Sequence, residues 1–311
     1  MNEELQVNSP LCLIVNPRAG NGRARGLLPA ASGVLRGAGV EHRITESASL
    51  AHAREVAADA ADHGEGVVAV GGDGMAGALC GVAAATGARF GIIPAGRGND
   101  LARVLGIPHD PAAAARVLAA GAERQIDLIA ASAPGHAEMM VAGSVYAGIP
   151  AVAGEIANGT KWLRGSVVYP AAALRALARW QPARFTVQVA GHATHEFDGY
   201  AVVVANSAYF GAGMQVAPPA KIDDGVLDLV LMRNAPKLTF VRALQKIKDG
   251  SHVGLPAISL ERGADITITM NRDLPAAADG EPLACACPLT AGAPLRIRVA
   301  PAALTVLVPV L

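Results

Sequence analysis

Short strand-like runs alternate with helical patterns along the first part of the chain. The runs lie at 11–15, 41–45, 66–70 and 89–94, and apolar residues between them recur at helical spacing. This alternation predicts βαβ units on a parallel sheet. The loops that follow the runs are rich in glycine, asparagine, aspartate and arginine. Because ligands of open α/β sheets bind at the carboxyl ends of the strands, these loops are the first candidates for a functional site.

The pattern changes near residue 127. From Ile126 onward the chain has short runs of period-two or continuous β character, separated by turn sequences such as DDG and NRDLP. Many short strands with turn signals predict a mostly antiparallel sandwich or barrel. Helical patterns interrupt them at about 155–180 and 236–250. The sequence therefore predicts an α/β domain followed by a β-rich domain.

The composition excludes a general attraction to polyanions. Among 311 residues, 26 Lys and Arg balance 26 Asp and Glu, so an anionic ligand must be bound locally. The uncharged apolar stretch 139–154 is shorter than the roughly 20 residues that a membrane-spanning helix needs, and Gly148 and Pro150 interrupt it. The four cysteines do not have zinc-ligand spacing. We therefore expect a soluble cytoplasmic protein with reduced thiols.

Three glycine-rich loops follow strands of the first domain. The first, NPRAGNGRAR, offers backbone amides and arginines suited to phosphates, although it lacks the P-loop pattern G-x-x-x-x-G-K-[ST]. The second, GGDGM, places the carboxylate of Asp73 between glycines, where it can hold magnesium. The third, PAGRGNDLAR, carries Asn99 and Asp100, for which we expect helix capping. Three such loops at one sheet edge predict a phosphate-binding site.

The order of these motifs resembles a known family. N-P-x-x-G, then G-G-D-G, then P-x-G-x-x-N-D-x-A-R is similar to the diacylglycerol kinase catalytic domain family, which includes sphingosine and ceramide kinases and is distantly related to NAD kinases. The resemblance is closest to the soluble bacterial diacylglycerol kinases and lipid kinases. It continues through KWLRGSVVY, NSAYFGAGMQVAPPAKIDDGVLDLVLM and ADGEPL, and so covers nearly the whole chain.

The resemblance implies a fold of two domains with an ATP site between them. A Rossmann-like α/β domain with a mostly parallel sheet would span 1–127, with about 303–311 packing back on it. A mostly antiparallel β-sandwich domain for the lipid acceptor would span 128–302. The residues implied for the nucleotide site are Asn16, Pro17, Arg18, Ala19, Gly20, Thr45, Gly71, Gly72, Asp73, Gly74, Met75, Ala76, Gly77 and Arg97.

The resemblance also implies catalytic residues. Asp279, in the DGE motif, would be the general base, and Asp73 would organise magnesium (Mg2+) and water at the phosphates. Phosphoryl transfer needs alignment, charge neutralisation and a carboxylate that accepts the acceptor proton. A D-G pair is also a common hairpin turn, so a purely structural role for Asp279 stays open. Glu281 either assists in substrate binding or is exposed surface.

The resemblance further implies a structural magnesium ion at the DDG loop. Its ligands would be the Asp224 side chain and carbonyls near Lys221 and Val226. Adjacent Asp223 and Asp224 repel each other unless a cation or solvent relieves them, which favours the metal. A plain turn before a strand is the alternative.

Three residues depart from the family pattern. Met75 replaces the threonine usual after GGDG, a change also found among ceramide-type kinases. Arg97 replaces a nucleotide-contacting threonine. Pro150 stands where many relatives carry the aspartate that meets the amino-alcohol head group in sphingosine kinases, which argues against a sphingoid substrate.

The segment 158–180 predicts contact with a membrane. Basic and aromatic residues flank an apolar helix there, as in interfacial helices. Lys161 matches the family motif K-x-x-x-G-x-x-x-Y and would reach the phosphates or the lipid head group. A helix packed on the β-rich domain is the alternative. The basic residues and tryptophans of the segment are Lys161, Trp162, Arg164, Arg175, Arg179 and Trp180.

Together these features predict an ATP- and magnesium-dependent lipid kinase, with diacylglycerol to phosphatidic acid as the leading reaction. We expect it at the inner face of the membrane, in transient contact with its lipid substrate and without nucleic acid as a partner. Homodimer formation stays open. The alternatives are another lipid or hydrophobic alcohol as acceptor, with ceramide and sphingoid substrates less favoured, or a non-catalytic nucleotide or lipid sensor. NAD kinases carry an N-E pair soon after GGDG, and Rossmann oxidoreductases a G-x-G-x-x-G; this chain has neither.

Overall fold

The computed structural model describes residues 9–159, 168–283 and 289–310. The chain divides into two compact units. The first unit comprises Met1–Ile126 and Ala302–Leu311, and the second comprises Asp127–Pro301.

The first unit contains a parallel sheet with helices between its strands. The strands are β1 Leu11–Val15, β2 His42–Glu46, β3 Gly66–Gly71 and β4 Phe90–Pro94, and the helices are α1 Ala19–Gly22, α2 Ala24–Gly37, α3 Leu50–Asp62, α4 Asp73–Thr86, α5 Asp100–Val104 and α6 Pro111–Ala120. Strands β1, β3 and β4 are buried along their whole length. Such complete burial is typical of parallel strands covered on both faces.

The strand register aligns the carboxyl ends of the first unit's sheet. The strand order is β2–β1–β3–β4, and all three pairs are parallel. Ile14 of β1 pairs with Thr45 of β2 and with Ala69 of β3. Gly71 of β3 pairs with Pro94 of β4. The loops that follow β1, β3 and β4 therefore begin at the same edge of the sheet.

Antiparallel strands make up most of the second unit. The strands are β5 Glu123–Ser132, β6 Met139–Val141, β7 Ser144–Gly148, β8 Ala183–Val189, β9 His195–Ala205, β10 Tyr209–Phe210, β11 Met214–Gln215, β12 Leu227–Arg233, β13 Ile258–Gly263, β14 Asp265–Met270, β15 Ala276–Ala278, β16 Glu281–Pro282 and β17 Leu295–Leu307. The helices are α7 Ile149–Gly159, α8 Val168–Arg179, α9 Lys237–Lys246 and a 3-10 helix, Ser251–Gly254. The start of β5, up to Ile126, and the end of β17 belong to the first unit, where Val306 pairs in parallel with Phe90 of β4.

Strand β9 is central to the second unit. It pairs antiparallel with β7, β8 and β12. From β7 the pairing continues to β15 and β16, and from β8 to β14 and the start of β17. Strand β8 alternates buried with more exposed positions, so one of its faces lies on the core. This connectivity places the β15–β16 hairpin, which contains the DGE motif, beside β7.

The strand pairings within the two units confirm the predicted fold class, an α/β unit with mostly parallel strands and a mostly antiparallel β-rich unit. The interfacial placement of Trp180 was wrong. Its side chain is 7% exposed, and its Nε1 donates a hydrogen bond to the carbonyl of Gly199 at 3.2 Å. Across the described ranges, no helix combines the length and apolar character needed to cross a bilayer.

Candidate active site

The three glycine-rich loops of the first unit meet at the carboxyl edge of its sheet. The backbone N–H of Asn16 donates to the carbonyl of Val70 at 3.1 Å, and the N–H of Ala95 donates to the carbonyl of Gly71 at 2.7 Å. The loops after β1 and β4 are therefore both anchored to the end of β3, as their common edge predicted.

Close backbone contact explains several of the glycines in these loops. A Cβ atom on Gly72 would lie 3.0 Å from the Cα of Gly96, and a Cβ on Gly96 would overlap the Cα of Gly72. A Cβ on Gly20 would lie 2.5 Å from the carbonyl oxygen of Ala95. Only glycine permits backbone to approach backbone this closely. The glycines therefore join the three loops into one structure.

Asp73 connects the second loop to the third. Its carboxylate accepts hydrogen bonds from the backbone N–H groups of Asn99 at 2.8 Å and Asp100 at 2.5 Å. These donors lie at the start of α5, so Asp73 caps this helix, whereas the Asn99 side chain makes no capping bond to it. Capping of α5 by the Asn99 side chain is therefore not observed, and the cap comes from Asp73. Asn99 instead accepts from the N–H of Gly96 at 2.9 Å and has a positive φ of 53°.

The N-terminus of α4 lies within the second loop. This helix has 14 residues, begins at Asp73 and has Gly72 as its N-cap. Backbone N–H groups in a first helical turn lack intrahelical acceptors, and the helix dipole favours an anion beside them. The joined loops and this helix end are chemically suited to bind the phosphates of a nucleotide.

The remaining residues predicted for the nucleotide site differ in exposure. Arg18 and Arg97 are exposed, and Thr45 is half-buried near the end of β2. Met75 is only 2% exposed, and a Cβ on Gly71 would lie 2.7 Å from its Cβ. The Met75 side chain therefore packs beneath the second loop.

In the second unit, consecutive backbone amides hold Asp279. Its carboxylate accepts hydrogen bonds from the N–H groups of Ala142 at 3.1 Å, Gly143 at 3.0 and 3.1 Å, and Ser144 at 2.8 Å. The N–H of Asp279 donates to the carbonyl of Ser144 at 3.0 Å. Successive N–H groups that converge on one anion form a nest. This nest fixes the orientation of the Asp279 carboxylate.

The hairpin turn considered as an alternative for Asp279 is present together with the nest. Asp279, with φ 46°, and Gly280, with φ 89°, connect β15 to β16. Positive φ at both central residues is typical of a type I′ hairpin turn. The N–H of Gly280 donates to the hydroxyl of Tyr146 at 3.1 Å. A left-handed backbone is unfavourable for most residues other than glycine, and the turn aims the Asp279 side chain at the nest.

Sequence reasoning missed the residues that form the nest. Gly143 permits the contact, because a Cβ at this position would lie 2.5 Å from Oδ1 of Asp279. The available signal was a glycine directly before β7, in the segment VAGSV. That glycine belongs to none of the motifs recognised in the sequence.

One of the residues predicted to bind the structural metal, Asp224, forms an ion pair. Asp224 forms a salt bridge with Arg262, whose Nε also lies 3.2 Å from Oδ1 of the buried Asp228. The N–H of Val226 donates to Asp224 at 3.3 Å, and Lys221 is exposed. Burial raises the pKa of Asp228, and the hydrogen bond with Asp224 raises the pKa of Arg262. An arginine thus supplies a cation beside Asp224 and Asp228.

Because Arg262 is bound to Asp224, this carboxylate has a counter-charge in the structure without a metal, and the structural magnesium site stays a prediction. Within the part of the chain that the structure describes, no group of three or more His, Cys, Asp or Glu side chains could hold a metal. Asp73 fits a different kind of site. Magnesium that accompanies a nucleotide uses one or two carboxylates and completes its shell with phosphates and water.

Glu281 and Lys161 are the two residues predicted to assist substrate binding. Glu281 is exposed in β16. Lys161 lies outside the described residues. Their roles remain predictions.

Two protein families match this chain. The diacylglycerol kinase catalytic domain family matches residues 10–131. The YegS C-terminal NAD kinase beta sandwich-like domain family matches residues 143–308. A diacylglycerol kinase of Mycobacterium tuberculosis is 31% identical over 303 residues, which cover 95% of this chain and 94% of that relative.

Solved structures share the fold. A diacylglycerol kinase from Bacillus anthracis has a TM-score of 0.72 and 20% identity, with 97% of each chain covered. An NAD kinase from Archaeoglobus fulgidus in complex with ATP has a TM-score of 0.51 and 13% identity, with 95% of this chain and 92% of that chain covered. At these identities the two structures show a common fold alone. The family matches confirm the resemblance seen in the motifs: the chain belongs to the diacylglycerol kinase family of lipid kinases.

Proposed function

We propose that this lipid kinase transfers the γ-phosphoryl group of ATP to diacylglycerol, with magnesium, and forms phosphatidic acid. The observation that carries the proposal is the joining of three glycine-rich loops at the N-terminus of α4. The name of the Mycobacterium tuberculosis relative supports diacylglycerol as the acceptor. The ATP complex of the Archaeoglobus fulgidus NAD kinase, which shares the fold, supports ATP as the donor.

In this proposal the first unit binds the nucleotide phosphates. Backbone N–H groups at the start of α4 donate to phosphate oxygens. The hydrogen bonds from Asn99 and Asp100 keep the Asp73 carboxylate in one orientation. Each carboxylate oxygen has a second lone pair, so Asp73 can also hold magnesium. Bound magnesium would neutralise charge on the transferring phosphoryl group.

The second unit supplies the general base. As the acceptor oxygen bonds to the γ-phosphorus, the bond from phosphorus to the ADP oxygen breaks, and the acceptor proton passes to a carboxylate oxygen of Asp279. The two carboxylate oxygens share the N–H of Gly143, which can keep its bond to one oxygen while the other takes the proton. The nest at 142–144 fixes this carboxylate before the substrate binds. Such preorganisation lowers the entropic part of the barrier.

A panel of acceptors tests the proposed function. Labelled γ-phosphate transfer from ATP is measured with magnesium in mixed micelles of diacylglycerol, monoacylglycerol, ceramide or sphingosine, and in a total bacterial lipid extract. NAD in solution tests the related NAD kinase activity. The proposal requires labelled phosphatidic acid as the main product. A main product from another acceptor in the panel would contradict diacylglycerol as the substrate.

We also propose that α8 and α9 contact an anionic bilayer. Leu174 of α8 and Leu238 of α9 are 46% and 60% exposed. The helices are neighbours, because Nζ of Lys237 donates to the carbonyl of Ala178 at 2.8 Å. Neither helix contains Asp or Glu. Their exposed cations are Arg175, Arg179, Lys237, Arg242 and Lys246. Apolar side chains among cations suit an anionic lipid surface.

Replacing both leucines with serine is expected to weaken binding to vesicles of phosphatidylglycerol and phosphatidylcholine by about tenfold, because moving a leucine side chain from water into the bilayer is favourable. Vesicle cosedimentation measures the change. Turnover of a short-chain, water-soluble diacylglycerol should stay within about twofold of wild type, since neither leucine contacts the residues proposed for catalysis.

Val310→Ser is the matched control for the loss of an exposed apolar side chain, because Val310 is 73% exposed and lies in the first unit. It should leave vesicle binding unchanged. Equal vesicle binding by wild type and the double leucine variant would refute this membrane surface.

A further inference from the structure

Asn206 is hydrogen-bonded to the segment 142–144, which forms the Asp279 nest. It follows β9 and is fully buried. Its backbone N–H donates to the carbonyl of Gly143 at 2.8 Å. Its side-chain Nδ2 donates to the carbonyls of Ala142 at 3.0 Å and Asp127 at 2.7 Å. Since carbonyl oxygens can only accept, these bonds fix which end of the carboxamide carries the nitrogen.

Asn206 and Asp279 bind opposite groups of the same peptides. The carbonyls of Ala142 and Gly143 accept from Asn206. The N–H groups of the same two residues, and of Ser144, donate to the Asp279 carboxylate. A shift of Asn206 would therefore move the N–H groups that orient Asp279. This coupling follows from direct hydrogen bonds and needs no distant transmission.

The Asn206 side chain pairs two backbone carbonyls of buried residues. Asp127 and Ala142 are 4% and 1% exposed, and Nδ2 of Asn206 donates to the carbonyls of both. An apolar side chain in its place would leave these acceptors unpaired. The carbonyl of Ala142 belongs to the same peptide group as the N–H of Gly143, so this bond acts directly on the nest.

We propose that Asn206 is a positioning residue for phosphoryl transfer: it holds the 142–144 segment so that the nest presents the Asp279 carboxylate to the acceptor hydroxyl. This inference rests on the proposed role of Asp279 as general base. Asn206 itself touches neither substrate nor reacting atoms in this mechanism. Its contribution is the alignment of the base, which appears in kcat and leaves nucleotide binding unchanged.

Asn206→Leu tests the inference, because leucine has a similar volume and no donor. We expect kcat for diacylglycerol phosphorylation to fall by about 100-fold, as for a catalytic group displaced by about 1 Å. The KM for ATP and the Kd for ATP should stay within about twofold of wild type. In the double variant with Asp279→Asn, Asn206→Leu should cause no further loss, because both act through one group.

Ser207→Ala is the matched control. Ser207 is the adjacent buried polar residue, and its Oγ donates to the nearby carbonyl of Tyr209 at 3.3 Å. Its kcat should stay within about threefold of wild type, since it leaves both Nδ2 bonds of Asn206 in place. If Asn206→Leu does not fold, Asn206→Ser, which keeps one donor on a smaller side chain, takes its place with an expected loss of about tenfold.

The outcomes separate this inference from the proposed function. If Asp279→Asn is inactive and the folded Asn206 variant keeps its kcat, the positioning role is refuted and the proposed base stands. If Asp279→Asn is active, the proposed base fails and the positioning role fails with it. A fall in kcat that Ser207→Ala reproduces would identify a general packing effect and refute a specific role for Asn206.

Discussion

Asp279→Asn is expected to lower phosphoryl transfer by about 100- to 10,000-fold, the range that a positioned general base contributes. The carboxamide does not accept the acceptor proton at neutral pH. It also has one acceptor oxygen in place of two, so part of the nest at 142–144 loses its partner. Steady-state transfer of labelled phosphate to diacylglycerol measures the loss. ATP affinity should be unchanged, because the joined glycine-rich loops belong to the first unit.

Asp265→Asn is the control for this substitution. It makes the same chemical change at an exposed carboxylate of β14 in the second unit. Its turnover should stay within about twofold of wild type, as expected for an exposed residue outside the mechanism. Near-normal turnover of Asp279→Asn would exclude Asp279 as the base. Loss of ATP affinity in the same variant would contradict the division of roles between the two units.

Gly96→Ala is expected to weaken ATP binding by about five- to 150-fold, which corresponds to about 1–3 kcal/mol of overpacking. The added Cβ would overlap the Cα of Gly72 and lie 2.7 Å from Oδ1 of Asn99. Neither neighbour can yield easily, because one is backbone and the other already accepts the N–H of Gly96 at 2.9 Å. The third loop must therefore move away from the start of α4. Isothermal titration with ATP measures the change.

Gly26→Ala is the matched control for Gly96→Ala. Gly26 lies in α2, and no atom lies within 4 Å of a Cβ added there. Alanine is the better helix former by about 1 kcal/mol, so this variant should bind ATP normally and unfold at the same or a higher temperature. Normal ATP binding by Gly96→Ala would mean that the junction of the loops is not the nucleotide site.

The strands of the first unit were predictable because their signal is local. The run at 11–15 coincides with β1. The run at 66–70 coincides with β3, except that β3 extends one residue further, to Gly71. The helical region expected at about 155–180 begins earlier than predicted, because α7 starts at Ile149. Pro150 was read as an interruption, yet proline is favoured in the first turn of a helix, where its missing N–H has no intrahelical partner.

The contacts of the candidate site could not be predicted in the same way. The motifs indicated Asp73 and Asp279, but the partners of Asp73 lie 26 and 27 residues away, and those of Asp279 lie 135 to 137 residues away. Hydrophobic periodicity carries no information about such pairs. The same holds for Arg262, which pairs with Asp224 across 38 residues.

The central claim is tested most directly by transfer of labelled γ-phosphate from ATP to diacylglycerol, measured side by side for wild type and Asp279→Asn at equal protein concentration with magnesium. The account predicts labelled phosphatidic acid from the wild type, its loss when magnesium is chelated, and at least about 100-fold less product from Asp279→Asn. No phosphatidic acid from a folded wild type that binds ATP would contradict the proposed reaction. Equal product from both proteins would contradict the proposed mechanism.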